Sequence, residues 1–149
     1  MTLEEQLQQK DFKSINNKVI LKILATYSTL DYKYKLFFKK YGLTSQQFNI
    51  LRILRGQYPN PATINLLKER MIDKMSDASR IVERLRIKGL VLRKICPGDR
   101  RAVDIIITPQ GLELLKLIDE PIFHFENNLS PLIPEESEQL NQLLDKFNS

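Results

Sequence analysis

The chain has 149 residues, 42% hydrophobic and 28% charged, which is a globular balance with enough length to bury one core. No apolar run approaches the roughly 20 residues of a membrane-spanning helix, and the acidic start lacks the form of a signal peptide, so the expected location is cytoplasmic. One cysteine and one histidine exclude an internal disulfide, a cysteine-pair metal site and a metal site or catalytic triad built on histidines alone, and the net charge of +5 acquires meaning only once it is located.

Residues 1–10 are polar and glutamine-rich, a frayed end or a short helical lead. From about residue 14 to residue 40 neither proline nor glycine interrupts an apolar stripe running from Ile15 and Val19 through Tyr27 and Tyr34 to Phe38. A helix of about 25 residues would be roughly 37 Å long. That is more than the core of so small a domain can cover, so part of the stripe should meet a second copy of the chain. Tyr41-Gly42-Leu43 ends this helix, and Thr44 or Ser45 caps the next, whose buried side is Phe48, Ile50, Leu51, Ile53 and Leu54. Residues 56–61 read as a loop, and residues 63–71 as a short helix with Ile64, Leu67 and Met71 turned inward.

In residues 76–89, Ala78, Ile81, Val82 and Leu85 recur at i, i+3, i+4 and i+7, one face of a helix. Ser79, Arg80, Glu83, Arg84 and Arg86 lie on the other faces, Ser76 is placed to cap, and Gly89 can stop the helix in a left-handed conformation. The period then changes. Residues 90–95 and 103–107 are β-prone, and the Pro97-Gly98-Asp99 segment between them is turn chemistry. Thr108 caps a further helix with Pro109 in its first turn, Leu112, Leu115, Ile118 and Ile122 marking its apolar face. Pro121 is expected to bend or interrupt that helix. Residues 127–134 form a loop before a last helix over about 134–147, carrying Leu140, Leu143, Leu144 and Phe147.

The charge is concentrated. Residues 68–101 hold eleven Lys/Arg against five Asp/Glu, a net of +6, whereas the rest of the chain nets −1. A basic excess confined to one helix and the hairpin after it has the form of a phosphate-binding footprint. Arg80 and Arg84 are one turn apart, on the side opposite Ala78 and Val82. Each could grip guanine or a phosphate with two hydrogen bonds, the plain alternative being a surface salt bridge such as Arg80 with Glu83 or Asp77.

Arg84-Leu85, Lys88-Gly89-Leu90-Val91, Arg93, Asp99-Arg100-Arg101 and Thr108-Pro109-Gln110-Gly111, in this order and spacing, resemble the MarR family of bacterial winged helix-turn-helix regulators. The close match covers about a quarter of the chain, and the flanking helical patterns agree with the family's layout. The segment Met71-Ile72-Asp73-Lys74-Met75 departs from it in lacking the glycine such turns often carry. The resemblance implies a mainly α fold with a small two- or three-stranded β-wing. It implies one domain over residues 1–149, with dimerisation helices at about 12–40 and 109–149 and a winged-helix lobe at about 44–108. The implied function is a homodimeric repressor on double-stranded DNA, bound to a pseudo-palindromic operator and released by a small aromatic or anionic effector.

On this reading Ser76, Asp77, Ser79, Arg80 and Arg84 approach the major groove. Arg101 enters the minor groove, Asp99 holds the wing by pairing with a neighbouring arginine, and Arg100 and Lys94 meet phosphates. Tyr27, Tyr34, Phe37, Phe48 and Phe123 could line an effector crevice, although aromatics at helical spacing serve as core equally well. Cys96 is read as a bystander thiol and His124 as a half-buried residue near the dimer helices. Neither a cofactor nor an enzyme is implied: the chain has no glycine-rich phosphate loop, nucleophile–base pair or metal cluster motif. The competing function is a winged-helix protein-interaction module without DNA binding.

Overall fold

The computed structural model describes residues 1–95 and 103–148. Among these, the elements run α1 (Leu3–Leu7), α2 (Ile15–Lys39), α3 (Ser45–Gln57), β1 (Ala62–Thr63), α4 (Ile64–Arg70), α5 (Ala78–Ile87), β2 (Val91–Ile95), β3 (Val103–Ile107), α6 (Pro109–Leu129) and α7 (Pro134–Asp145). A short 3-10 turn over Lys146–Asn148 follows α7. The strands form an antiparallel sheet in the order β1-β3-β2, with Ala62 opposite Ile105, and Val91 opposite Ile107. No helix among the described residues is long and apolar enough to cross a membrane.

Most of the predicted helix starts are fixed by side-chain oxygens that satisfy free amides of the first turn. Ser14 accepts from the Asn17 amide, Thr63 from Leu66 and Thr108 from Gly111. Thr44 and Gln47 form a reciprocal capping box, which settles the choice between Thr44 and Ser45. The α5 cap differs from expectation. Asp77, not Ser76, accepts from the Arg80 amide at 3.2 Å. The Ser76 hydroxyl is buried without a hydrogen-bond partner.

Three boundaries also move. Gly56 lies inside α3, and α6 reaches Leu129, three residues into the predicted loop. Pro121 does not interrupt α6. The carbonyl its ring leaves without an intrahelical partner belongs to Leu117, four residues earlier.

One core joins these elements. Leu51 and Leu54 of α3, Leu67 of α4, Val82 and Leu85 of α5, and Leu115 of α6 are all at most 1% exposed, with Ile105 of β3 closing the floor. Phe37 and Phe38, near the end of α2, join this cluster through rings stacked on Phe125 and tilted on Phe48.

The Thr-x-x-Gly segment has a physical explanation in the junction where α5, the sheet and α6 meet. Thr108 donates its hydroxyl to the Gly89 carbonyl at 2.8 Å and its amide to the Leu90 carbonyl at 3.0 Å. Gly89 has φ +77°, a left-handed conformation that ends α5. A Cβ on Gly111 would come within 2.5 Å of the Leu90 carbonyl oxygen and 2.7 Å of the Ile107 side chain. Only glycine lets α6 start this close to the sheet.

The two ends of the chain are different. Ile15, Ile20, Leu24 and Tyr27 of α2 remain between 48% and 83% exposed. No residue of α7 is buried, and its Leu140, Leu143 and Leu144 face outward.

Candidate nucleic-acid interface

The basic surface is built on α5. Its inward face, Ala78, Val82 and Leu85, is at most 1% exposed, which fixes the rotation of the helix and turns Ser79, Arg80 and Arg84 to solvent. The structure sorts the cations near this surface into those already engaged and those free to engage. Arg86 donates twice to Glu83, at 2.9 and 2.7 Å, and Arg93 of β2 reaches the same carboxylate at 3.4 Å. The Arg86 guanidinium, with Arg93 adding to it, holds the Glu83 carboxyl below the usual carboxylate range. Lys88 donates to the Gly42 carbonyl and to Gln47, and Lys74 to the Glu69 carbonyl.

Arg80 and Arg84 enter no salt bridge among the described residues. The surface pairing considered for Arg80, with Glu83 or Asp77, is not formed: Glu83 is taken by Arg86 and Arg93, and Asp77 by the helix cap. Lys94 is exposed on β2, opposite Asp104 in the strand register. Ser79 is exposed beside Arg80. Ser76 departs from expectation, because its covered hydroxyl is not presented outward. Cys96, Asp99, Arg100 and Arg101 lie outside the described residues, between β2 and β3, which pair as far as Ile95 opposite Val103. His124 is not half-buried: its side chain is 64% exposed, with Nε2 3.6 Å from the Glu120 carboxylate.

A second feature lies away from this surface. A cleft of about 290 Å³ opens between α2, α3, the α4–α5 turn and α6. Tyr27, Tyr34 and Phe48 line it as their spacing allowed, and Phe38 lines it in place of Phe37. Phe37 stacks on Phe125 with ring centroids 4.6 Å apart, and Phe123 is 61% exposed elsewhere. The charged lining, Asp31, Arg52, Asp73 and Glu126, was not anticipated. Those four residues come from four separate elements or turns, so no local spacing could flag them. Tyr34 donates its hydroxyl to Glu126; burial first, and then this bond, push the hydroxyl well above the usual tyrosine range. It therefore stays neutral at physiological pH. Arg55 of α3 and Asp119 of α6 form a two-pronged ion pair, both contacts 2.9 Å, joining two of the helices that border the cleft.

Comparisons with known proteins bear on both features. A family model described as the MarR family matches residues 43–103. The HTH-type transcriptional regulator PecS of Dickeya dadantii is 33% identical over 113 residues, which are 73% of this chain and 67% of that protein. The crystal structure of a MarR transcription factor from Planctomyces limnophilus is 31% identical with a TM-score of 0.69, covering 91% of this chain and 98% of that one. The organohalide-sensing regulator RdhR, in its 2,4-dichlorophenol-bound form, shares the fold at a TM-score of 0.80 and 17% identity, over 93% of this chain and 85% of its own. A winged helix with free arginines on its outer face, matched by these relatives, places the chain in the MarR family of DNA-binding transcriptional regulators.

Proposed function

We propose that two copies of the chain join through α2, α6 and α7 and bind a pseudo-palindromic operator as a repressor, which a small molecule in the cleft releases. The observation that carries the DNA contact is the outward pair Arg80 and Arg84, without a salt-bridge partner among the described residues, on a helix whose rotation the core fixes. Two such helices must meet half-sites about 34–36 Å apart on one face of the duplex. The uncovered apolar residues of α2 and α7 supply the surface for pairing. On this reading residues 12–40 and 109–149 form the dimer, and residues 44–108 form the DNA-binding lobe.

Arg80, with Ser79 and Asp77 beside it, meets the major groove, and Arg84 meets base or phosphate. In the wing, Arg101 enters the minor groove, Asp99 orders the loop, and Arg100 and Lys94 meet phosphates. Ser76 is left out because its hydroxyl is covered. The cleft lies between α2 and α6 on one side and α3 and the α4–α5 turn on the other, so an occupant would shift the lobe against the dimer. RdhR, with its dichlorophenol, supports a small aromatic molecule as that occupant.

Binding of the variants to one operator and to a scrambled duplex across a salt series tests this reading. Arg80→Ala should cost about 1–3 kcal/mol and relax preference at particular base pairs. Arg101→Ala should weaken all sites more evenly and lower the salt slope by about 1.8, at roughly 0.9 per counterion for two wings. Unchanged affinity in Arg80→Ala would remove α5 from the interface.

A further inference from the structure

In this basic molecule the cleft is an acidic recess. Asp31, Asp73 and Glu126 line it against a single cation, Arg52, a balance of −2 in a chain whose net charge is +5. None of the three carboxylates enters a salt bridge among the described residues. The guanidinium carbon of Arg52 is 5.9 Å from the centre of the Phe48 ring, and its charge reaches the Tyr34 hydroxyl, so it offsets one of the three carboxylates and leaves two. The hydroxyl of Tyr34, fixed as a neutral donor to Glu126, adds no positive charge. The rings of Tyr27, Tyr34 and Phe38 line the same cleft.

An anion entering here would meet three carboxylates and one arginine already seated over a ring. A cation would gain both the carboxylates and the negative faces of the aromatic rings. We infer that the ligand of this cleft is a small hydrophobic cation, an aromatic or alkyl-substituted amine or quaternary ammonium, and not a phenolate or carboxylate. The inference rests on the cleft being the effector site and adds the charge of the effector. The recess is of a size for about one ring and one substituted ammonium, near the lower bound of about 300 Å³ for ligand pockets.

The test uses the full-length protein and three probes of similar size: benzyltrimethylammonium, 3-phenylpropan-1-ol and 3-phenylpropanoate. Calorimetry gives each affinity, and release of the protein from operator DNA gives each effect. The cation should bind at least about tenfold more tightly than the alcohol, and the anion more weakly than both. The double variant Asp31→Asn with Asp73→Asn should lose that preference for the cation by about tenfold while still binding the alcohol. Asparagine keeps the Oδ1 acceptor that receives the Met75 amide at 3.0 Å, so the turn is preserved. Leu30→Trp, which fills the cleft, separates the two ideas. Anion binding that is equal or tighter and is abolished by Leu30→Trp keeps the cleft as the effector site and overturns the cationic ligand. Probe binding that ignores Leu30→Trp, or no probe binding at all, overturns both.

Discussion

The core around α3, α5 and α6 and the two chain ends are made of the same apolar residue types with opposite fates. Leu85, in the last turn of α5, is fully buried and held by neighbours from its own chain. Leu143, in the last turn of α7, is 55% exposed, and α7 has no buried residue. Both positions follow a helical apolar period, so the pattern alone does not say where the partner lies. On the proposed dimer, the difference teaches that an apolar stripe records burial in the assembly, of which the single chain supplies only part.

The largest expected effect comes from removing one side of the comparison. Deleting residues 134–149 should leave a particle of about half the dimer mass in sedimentation, against about twice 17.5 kDa for the intact chain. Operator binding should be lost while circular dichroism retains the helices of the lobe. A truncated protein that stays dimeric would move the interface away from α7.

Leu85→Ala breaks the other side, and should cost about 2–5 kcal/mol in denaturant unfolding, through lost burial and the cavity left behind. Leu143→Ala, measured in the same way at low protein concentration where dimers dissociate, should cost far less, because the monomer does not bury it. Equal costs would mean that α7 packs within its own chain.

The smallest effect sharpens how α5 is held. Asp77→Ala should destabilise by about 1 kcal/mol through loss of the cap. Ser76→Ala should be neutral or slightly stabilising, since it removes a buried hydroxyl without a partner. Thermal unfolding of the two variants side by side checks the order, and a larger loss for Ser76 would restore it as the cap.

That pair also marks where sequence reasoning stops. Ser76 and Asp77 are both capable caps one residue apart, and only the path of the backbone decides between them. The face of α5 was legible because four apolar residues at helical spacing fix a rotation, and the Thr108-to-Gly111 junction because its residue types match a recognisable pattern. Of the two effects expected of Pro121, an interruption does not occur: α6 runs through it to Leu129, with packing on both sides of the one lost hydrogen bond. The charged lining of the cleft was invisible for another reason. Arg52 and Asp73 belong to different elements, and Glu126 lies far along the chain from both, so their meeting is a product of tertiary packing alone.

The junction of Thr108, Gly89, Leu90 and Gly111 has a mechanical consequence. It clamps the end of α5 to the start of α6, so the two helices form the arms of one bent lever with this junction as its elbow. From Gly111 to Ile122, at the cleft, is about 16 Å of helix; from Ile87, where α5 ends, back to Arg80 is about 10 Å. The shorter arm reduces a displacement. A stiff elbow therefore carries a shift of about 1 Å at the cleft to Arg80 as a shift of about 0.6 Å. In a twofold-symmetric pair the two contributions act on one separation, so that the gap between recognition helices changes by up to about twice as much.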